Sequence, residues 1–314
     1  MTAPRRAQGA SPPAGRPVSP QRRSTARRNL IRGWLFIGPV VLGTLIFNVL
    51  PVLPTFGLSL TAWNGLSAPT WVGLENYLRM FSGDPLLAQS LINTVLFTLG
   101  YVPFGIVVGL ALALLVNRSL PGMAIFRALI FLPYVTSLVA VGIVAKWVFS
   151  DQYGVLNAML DTVGIRGPHW LGESNTAMLA VIITSIWANM GFNMVILLAG
   201  LQNVPDTLID AAKLDGAGRW ARFVHVTVPF LTPTLFLLLI LQTIGSFQVF
   251  ALILVMTQGG PGQGTYVYIY HLWYEAFQMR NMGYAAAMAV ILFVIIALIT
   301  WAQARLSRRW VFYQ

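Results

Sequence analysis

Six long intervals without a charged residue divide this chain, and they leave little choice about the solvent in which it folds. They run over 33–74, 85–117, 128–145, 174–205, 223–274 and 281–304. Each can hold the ~20 apolar residues needed to cross the hydrocarbon of a bilayer. The predicted spans are 34–60, 91–116, 126–148, 177–201, 230–256 and 284–304. Composition agrees: 57% of residues are hydrophobic and only 9% charged, whereas a soluble domain carries about 25% charged residues. There is too little polar surface to cover a water-soluble globule. The expected fold is all-α: a polytopic integral membrane protein with six transmembrane helices. Residues 1–28, rich in Pro, Arg, Ser, Gly and Ala, are expected as a disordered basic cytoplasmic tail, with 29–314 forming one six-span domain. Pro51 and Pro54 are expected to kink the first span. The second half of the fifth interval, 259–274, opens Gly-Gly-Pro-Gly and carries five Tyr or Trp residues. It reads as an interfacial loop with an aromatic belt.

Basic residues set the orientation. Eight of the 20 Lys and Arg residues precede the first span. With the N-terminus cytoplasmic, the inner segments hold 16 of them and the outer loops three, Arg79, Arg166 and Arg280. This ratio predicts that both termini are cytoplasmic. The net charge of +11 is therefore read as a topology signal, not as nucleic-acid binding. The chain has no cysteine, and its three histidines are dispersed, so no metal or cofactor is expected. Its two lysines, Lys146 and Lys213, each follow an alanine. The GxxxxGK[ST] phosphate loop of an ATPase is thus absent, and the chain is expected to be no enzyme.

The inner loop 202–229 holds the most information. Pro205 suits the first position of a helix, Asp206 and Asp210 favour its positive end, and Gly216 suits its terminus. A helix of about 11 residues is predicted, then a second helical stretch from Arg219 to about Thr227. Ala211, Ala212, Gly216 and Ala217 are small enough to let another surface approach. Asp210-Ala211-Ala212-x-x-Asp215-Gly216-Ala217, with Pro229 thirteen residues beyond Gly216, resembles the EAA loop of binding-protein-dependent ABC import permeases. The first acidic residue is Asp where that family has Glu. Thr257-x-Gly259-Gly260-Pro261, Tyr274-x-x-Phe277 and Gly283-Tyr284-Ala285-Ala286-Ala287, together with Pro133, Trp147 and Gly154-x-x-Asn157, are similar to carbohydrate permeases of the maltose and glycerol-3-phosphate type. The resemblance covers about 85–304. It implies a loop that couples to an ATPase, a second permease subunit of different sequence, two ATP-binding subunits, and an extracytoplasmic sugar-binding protein in a bacterial plasma (inner) membrane.

Uncharged polar groups in spans four and five are the candidates for the substrate path. Asn189 and Asn193 are spaced i, i+4 and share a face, as do Gln242, Ser246 and Val249. Amides and hydroxyls suit sugar hydroxyls without burying charge; they also serve as bonds between helices. The maltose-type resemblance implies Ala188, Asn189 and Phe192 in span four, and Gln242, Gly245, Ser246 and Val249 in span five. Several of these differ from the maltose-type residues, which leaves the sugar open. Gly105 and Gly109 form a GxxxG pair in span two, a pattern that permits a close helix crossing. An ion-coupled secondary transporter of a small polar solute is the alternative. Such carriers place ionisable groups at mid-membrane, and none of the nine acidic residues falls in a predicted span.

Overall fold

The computed structural model describes residues 20–312 apart from Ser119. The first 19 residues of the expected tail lie outside the described residues. The helices are α1 (Pro20–Thr44), α2 (Val52–Leu58), α3 (Glu75–Ser82), α4 (Pro85–Val116), α5 (Met123–Val135), α6 (Leu138–Val148), α7 (Val155–Thr162) and α8 (Ser174–Gln202). They continue with α9 (Asp206–Leu214), α10 (Arg219–Arg222), α11 (Val228–Phe247), α12 (Ala251–Met256), α13 (Tyr268–Trp273) and α14 (Met282–Ser307). A two-stranded antiparallel ribbon pairs β1 (Thr61–Ala62) with β2 (Thr70–Trp71), Thr61 opposite Trp71.

The chain divides into two compact units, one ending at Pro54 and one beginning at Thr55. In the first, α1 already includes residues 20–28, where the sequence suggested disorder. No Gly or further Pro interrupts the stretch from Gln21 to Arg32, so nothing stops the helix there. The first span stays one run, Arg32–Leu58, with an irregular stretch beside its prolines. A π turn over Leu45–Val49 ends at Leu50, and α2 opens at Val52, past Pro51. Trp34, Phe36 and Phe47 are exposed, as suits a helix solvated by lipid.

The second unit is built around α4 and α8. Asp84 caps α4, its carboxylate accepting from the Leu86 amide at 2.9 Å with Pro85 in the first turn. The helix therefore starts six residues before the predicted span. Glycines bring its neighbours close. A Cβ on Gly109 would meet the Asn193 Cβ at 2.5 Å, and one on Gly200 of α8 would meet Thr234 Oγ1 of α11 at 2.7 Å. Gly191 of α8 lies against the α5 backbone at Ile130 and Phe131. Close approach lets dispersion hold helices that lipid does not drive together.

Three expectations need correction. The third span is no single helix: α5 and α6 meet at 96° across Thr136 and Ser137. The Thr136 amide turns back to the Pro133 carbonyl at 3.2 Å, and Thr136 and Ser137 take extended ψ values of 145° and 128°, which ends the helical path. Counting this bent pair as one span gives six; the other five are Arg32–Leu58, Pro85–Val116, Ser174–Gln202, Arg219–Phe247 and Met282–Ser307. The fifth span ends at Phe247, nine residues before the expected 256, and α12 leaves as a separate helix packed on α6 and α8. Lastly, 259–274 forms no peripheral belt. Tyr266, Tyr268 and Tyr270 are buried, and Tyr268 bonds through its hydroxyl to the Met288 carbonyl and through its amide to Thr94. The rings pack between helices because turns at Gly259 and Gly262, both with positive φ, fold this segment back onto α4.

Candidate functional site

The loop between α8 and α11 is a short exposed helix closed by a defined stop. Pro205 occupies the cap position, one residue earlier than expected, and α9 starts at Asp206. Gly216 takes φ +78° with no atom near its Cα hydrogen side. Its amide donates to Lys213 O (3.1 Å), and the Ala217 amide donates to Ala212 O (2.9 Å). These are the paired bonds of a Schellman stop, which requires a left-handed residue at this point. Asp210, Ala211, Asp215 and Gly216 are exposed, and Ala212 and Ala217 half-buried. Asp210 pairs with Lys213 at 2.7 Å on the exposed face, where water screens the attraction. Leu214 is 90% exposed, an apolar side chain offered at the helix tip.

The second helical stretch does not end at Thr227. It runs through a π turn, Phe223–Thr227, into α11, making one apolar helix from Arg219 to Phe247. The π turn accommodates Pro229, which has no N–H to give, and the Pro229 carbonyl, left without an i+4 amide because residue 233 is Pro233, accepts from Thr232 Oγ1 at 2.7 Å. The element carrying the small-residue loop is thus continuous with the one carrying Gln242 and Ser246.

The polar residues of spans four and five divide into two groups. Asn193, Gln242 and Ser246 form a buried seam against α4. Asn193 Nδ2 donates to Gly105 O at 3.0 Å, and Ser246 Oγ lies 2.9 Å from Thr98 Oγ1 while donating to Thr243 O. Among the described residues, the Gln242 amide is buried beside Gly105 with neither end hydrogen-bonded, and the Asn193 carbonyl oxygen also lacks a partner. Asn189 donates back to Ser185 O at 2.9 Å, and Ala188 is buried in the apolar core. Phe192 stacks on Tyr134 at 4.9 Å, Val249 is half-buried, and Gly245 is exposed with open space beside it. Gly245 therefore faces away from the seam, although the face of Gln242 and Ser246 is only a few residues off.

A second polar centre escaped sequence reading. At the end of the bundle opposite α9, Asp84, His271 and Tyr284 meet from α4, α13 and α14. His271 Nε2 lies 2.7 Å from Asp84 Oδ2 and its Nδ1 3.1 Å from the Tyr266 hydroxyl, while the Tyr284 hydroxyl donates to the same Asp84 oxygen. Burial pushes the Asp84 carboxyl up, but hydrogen bonds from Tyr284 and His271 and the positive charge His271 can carry outweigh it, and the net direction is down. Nearby, Arg79 pairs with Glu275 at 3.4 Å and lies 4.3 Å over the Tyr284 ring, and Asn281 donates to the same Glu275 oxygen at 2.7 Å. Asp84-Pro85 in front of an apolar run was a legible cap; partners about 190 positions away were not.

Against known proteins, residues 102–312 match the model of the binding-protein-dependent transport system inner membrane component family. A probable ABC transporter permease protein of Bacillus subtilis, YesP, is 39% identical over 292 residues, covering 92% of this chain and 94% of that one. MalF, the trehalose/maltose transport system permease protein of Thermococcus litoralis, is 33% identical over 277 residues, 88% and 93% of the two chains. In fold, a bacterial alginate ABC transporter solved with an alginate pentasaccharide-bound periplasmic protein superposes with a TM-score of 0.76 over 90% of this chain and 96% of its own, at 22% identity. An apolar helical bundle that carries an exposed, glycine-stopped helix in the loop between α8 and α11, with relatives aligned over nearly their whole length, leads to one conclusion: the chain belongs to the family of inner membrane components of binding-protein-dependent transport systems.

Proposed function

We propose that this chain forms part of the translocation path of an ATP-driven sugar importer in a bacterial plasma membrane. Two ATP-binding subunits, a second permease subunit of different sequence and an extracytoplasmic sugar-binding protein complete the machine. The chain is itself a transport subunit, and hydrolysis belongs to its partners. The observation that carries this reading is α9 and its stop. A nine-residue helix with an apolar exposed tip, small side chains and a firm stop at Gly216, resting on the bundle through Ile209, suits insertion into a cleft of another protein. The trehalose/maltose naming of a relative and the uncharged polar seam support sugar as cargo. The excess of Lys and Arg on the α9 side supports cytoplasmic termini.

Mechanism follows from connectivity. Closure of the ATPase pair pushes α9. The turn at 215–218 passes that displacement to the helix Arg219–Phe247, a lever of 29 residues and about 43 Å at α-helical rise. Its far half carries Gln242 and Ser246. Movement there opens the seam against α4 and uncovers amides and hydroxyls to the path, which Asn189, Phe192, Gly245 and Val249 line from the neighbouring faces. Proteoliposomes holding the assembled importer test the energy source. Uptake should continue in the presence of an uncoupler while ATP is supplied and stop when ATP is withheld. Uptake by this chain alone, driven by a pH gradient, would sink the proposal.

A further inference from the structure

A cleft of about 360 Å³ opens at the end of the bundle opposite α9, a volume in the range of small-molecule sites. One wall is the turn after β1, with Trp63 and Asn64; the other is the turn into α14, with Arg280 and Asn281; α3 contributes Glu75 and Arg79. Both turns are held firmly. Trp63 Nε1 donates to Ser67 O at 2.7 Å, which fixes the indole plane, and Asn64 Oδ1 accepts from the amides of Leu66 (3.0 Å) and Ser67 (2.9 Å), leaving its NH₂ without a partner among the described residues. Gly283 donates to Trp63 O at 3.2 Å, tying one wall to the other. Arg280 adopts φ +56°, a conformation that non-glycine residues take up at a cost and that recurs at functional sites.

The chemistry left over in the cleft is mixed in sign. Glu75 and Arg280 are exposed, and neither side chain has an ion pair or hydrogen bond among the described residues. They line one cleft without reaching each other. Arg79 is already balanced by Glu275. The free groups are therefore donors on Arg280 and Asn64 facing an acceptor on Glu75, beside an indole face. An anion would meet Glu75 as well as Arg280. A hydroxyl both accepts from a guanidinium and donates to a carboxylate, so a polyol bridges what no simple ion bridges, and the apolar indole face suits the C–H side of a sugar ring.

We propose that this cleft is a carbohydrate subsite at the outer mouth of the importer, binding a neutral sugar unit between Arg280 and Glu75 with its ring against Trp63. The proposal rests on sugar being the cargo and adds a weak site on the chain itself, separate from the seam of spans four and five.

The test uses the assembled importer in nanodiscs without its binding protein, with maltose, trehalose and lactose as probes, read by saturation-transfer NMR. At least one should bind with millimolar affinity. Arg280→Asn, which removes the guanidinium but tolerates positive φ, and Glu75→Gln should each weaken it about fivefold or more. Leu78→Ala, on the exposed side of α3, should not. Equal binding by wild type, Arg280→Asn and Glu75→Gln overturns the site. So does a complex that binds none of the probes while importing one of them with its binding protein present; a complex that neither binds nor imports any carbohydrate overturns the sugar reading as well. If the two variants lower affinity for the binding protein and leave sugar binding unchanged, the cleft is a protein contact and the proposal falls.

Discussion

Gly216 shows how much one residue can decide. Its φ of +78° costs an L-residue about 1–2 kcal/mol, while no neighbour crowds it. Conformation, and not bulk, is therefore the constraint. Gly216→Ala should loosen the end of α9, lower ATP-dependent uptake severalfold and weaken retention of the ATPase, whereas Gly216→Asn, which tolerates the left-handed region, should be milder. Co-purification of the ATPase with each variant checks this; equal retention by all three would show that the stop is dispensable. Asp84 offers a second test at this scale. Its carboxyl is held below the ordinary ~3.9, so the unfolded chain takes up the proton first. The stability it gives is complete above that value, is lost as pH falls through the lowered folded value, and is absent below both. Melting curves in detergent should place Asp84→Asn below wild type at pH 7, with the gap closing as pH drops beneath about 4. A gap unchanged down to pH 3 would mean that the charge on Asp84 contributes nothing.

Among the elements, what could be read from the chain and what could not follow from the range of the interactions. Charge-free length fixes where a helix can cross, so α4, α8 and α14 fall where expected. GxxxG in span two also speaks locally, and Gly109 does meet Asn193 across the crossing. Gly109→Val should overpack α4 against α8, at a cost of about 1–3 kcal/mol, seen as a lower melting temperature and reduced yield; a normal yield and melting point would show that the crossing is looser than described. The 96° bend between α5 and α6 was not foreseen because hydropathy records apolar content and is blind to direction. Pro133 was noted, but its effect depends on Thr136 and Ser137 having somewhere else to go. The tyrosines of 266–270 looked interfacial for a related reason: composition cannot distinguish a ring facing headgroups from one packed on α4. The partners of the polar path were equally out of reach. Asn193 and Ser246 spend hydrogen bonds on α4, partners that helix periodicity within one span cannot name. In Gln242→Leu, two stranded polar atoms disappear from a buried site. The variant should therefore insert and melt at or above the wild-type temperature, yet transport more slowly, since a seam that no longer gains by opening favours the closed arrangement. A lower melting point together with normal uptake would reverse that assignment.

Taken whole, the molecule lends itself to a direct test of orientation, because its native sequence contains no cysteine. Leu214→Cys and Gln278→Cys, both at exposed positions, should react with a membrane-impermeant maleimide from opposite sides, Leu214→Cys only in inverted vesicles. Labelling of both from one side would contradict the six-span topology. The α5–α6 elbow has a further consequence at this scale. Backbone that leaves the helical path inside a bilayer is tolerated only where protein or water covers it, and Tyr134, Val135, Leu138 and Val139 around the bend are exposed on this chain alone. A copy made without the proposed second permease leaves that elbow uncovered in lipid, so co-expression of such a partner should lengthen the half-life of this chain in a pulse-chase experiment; equal half-lives with and without it would show that the elbow needs no cover from a companion.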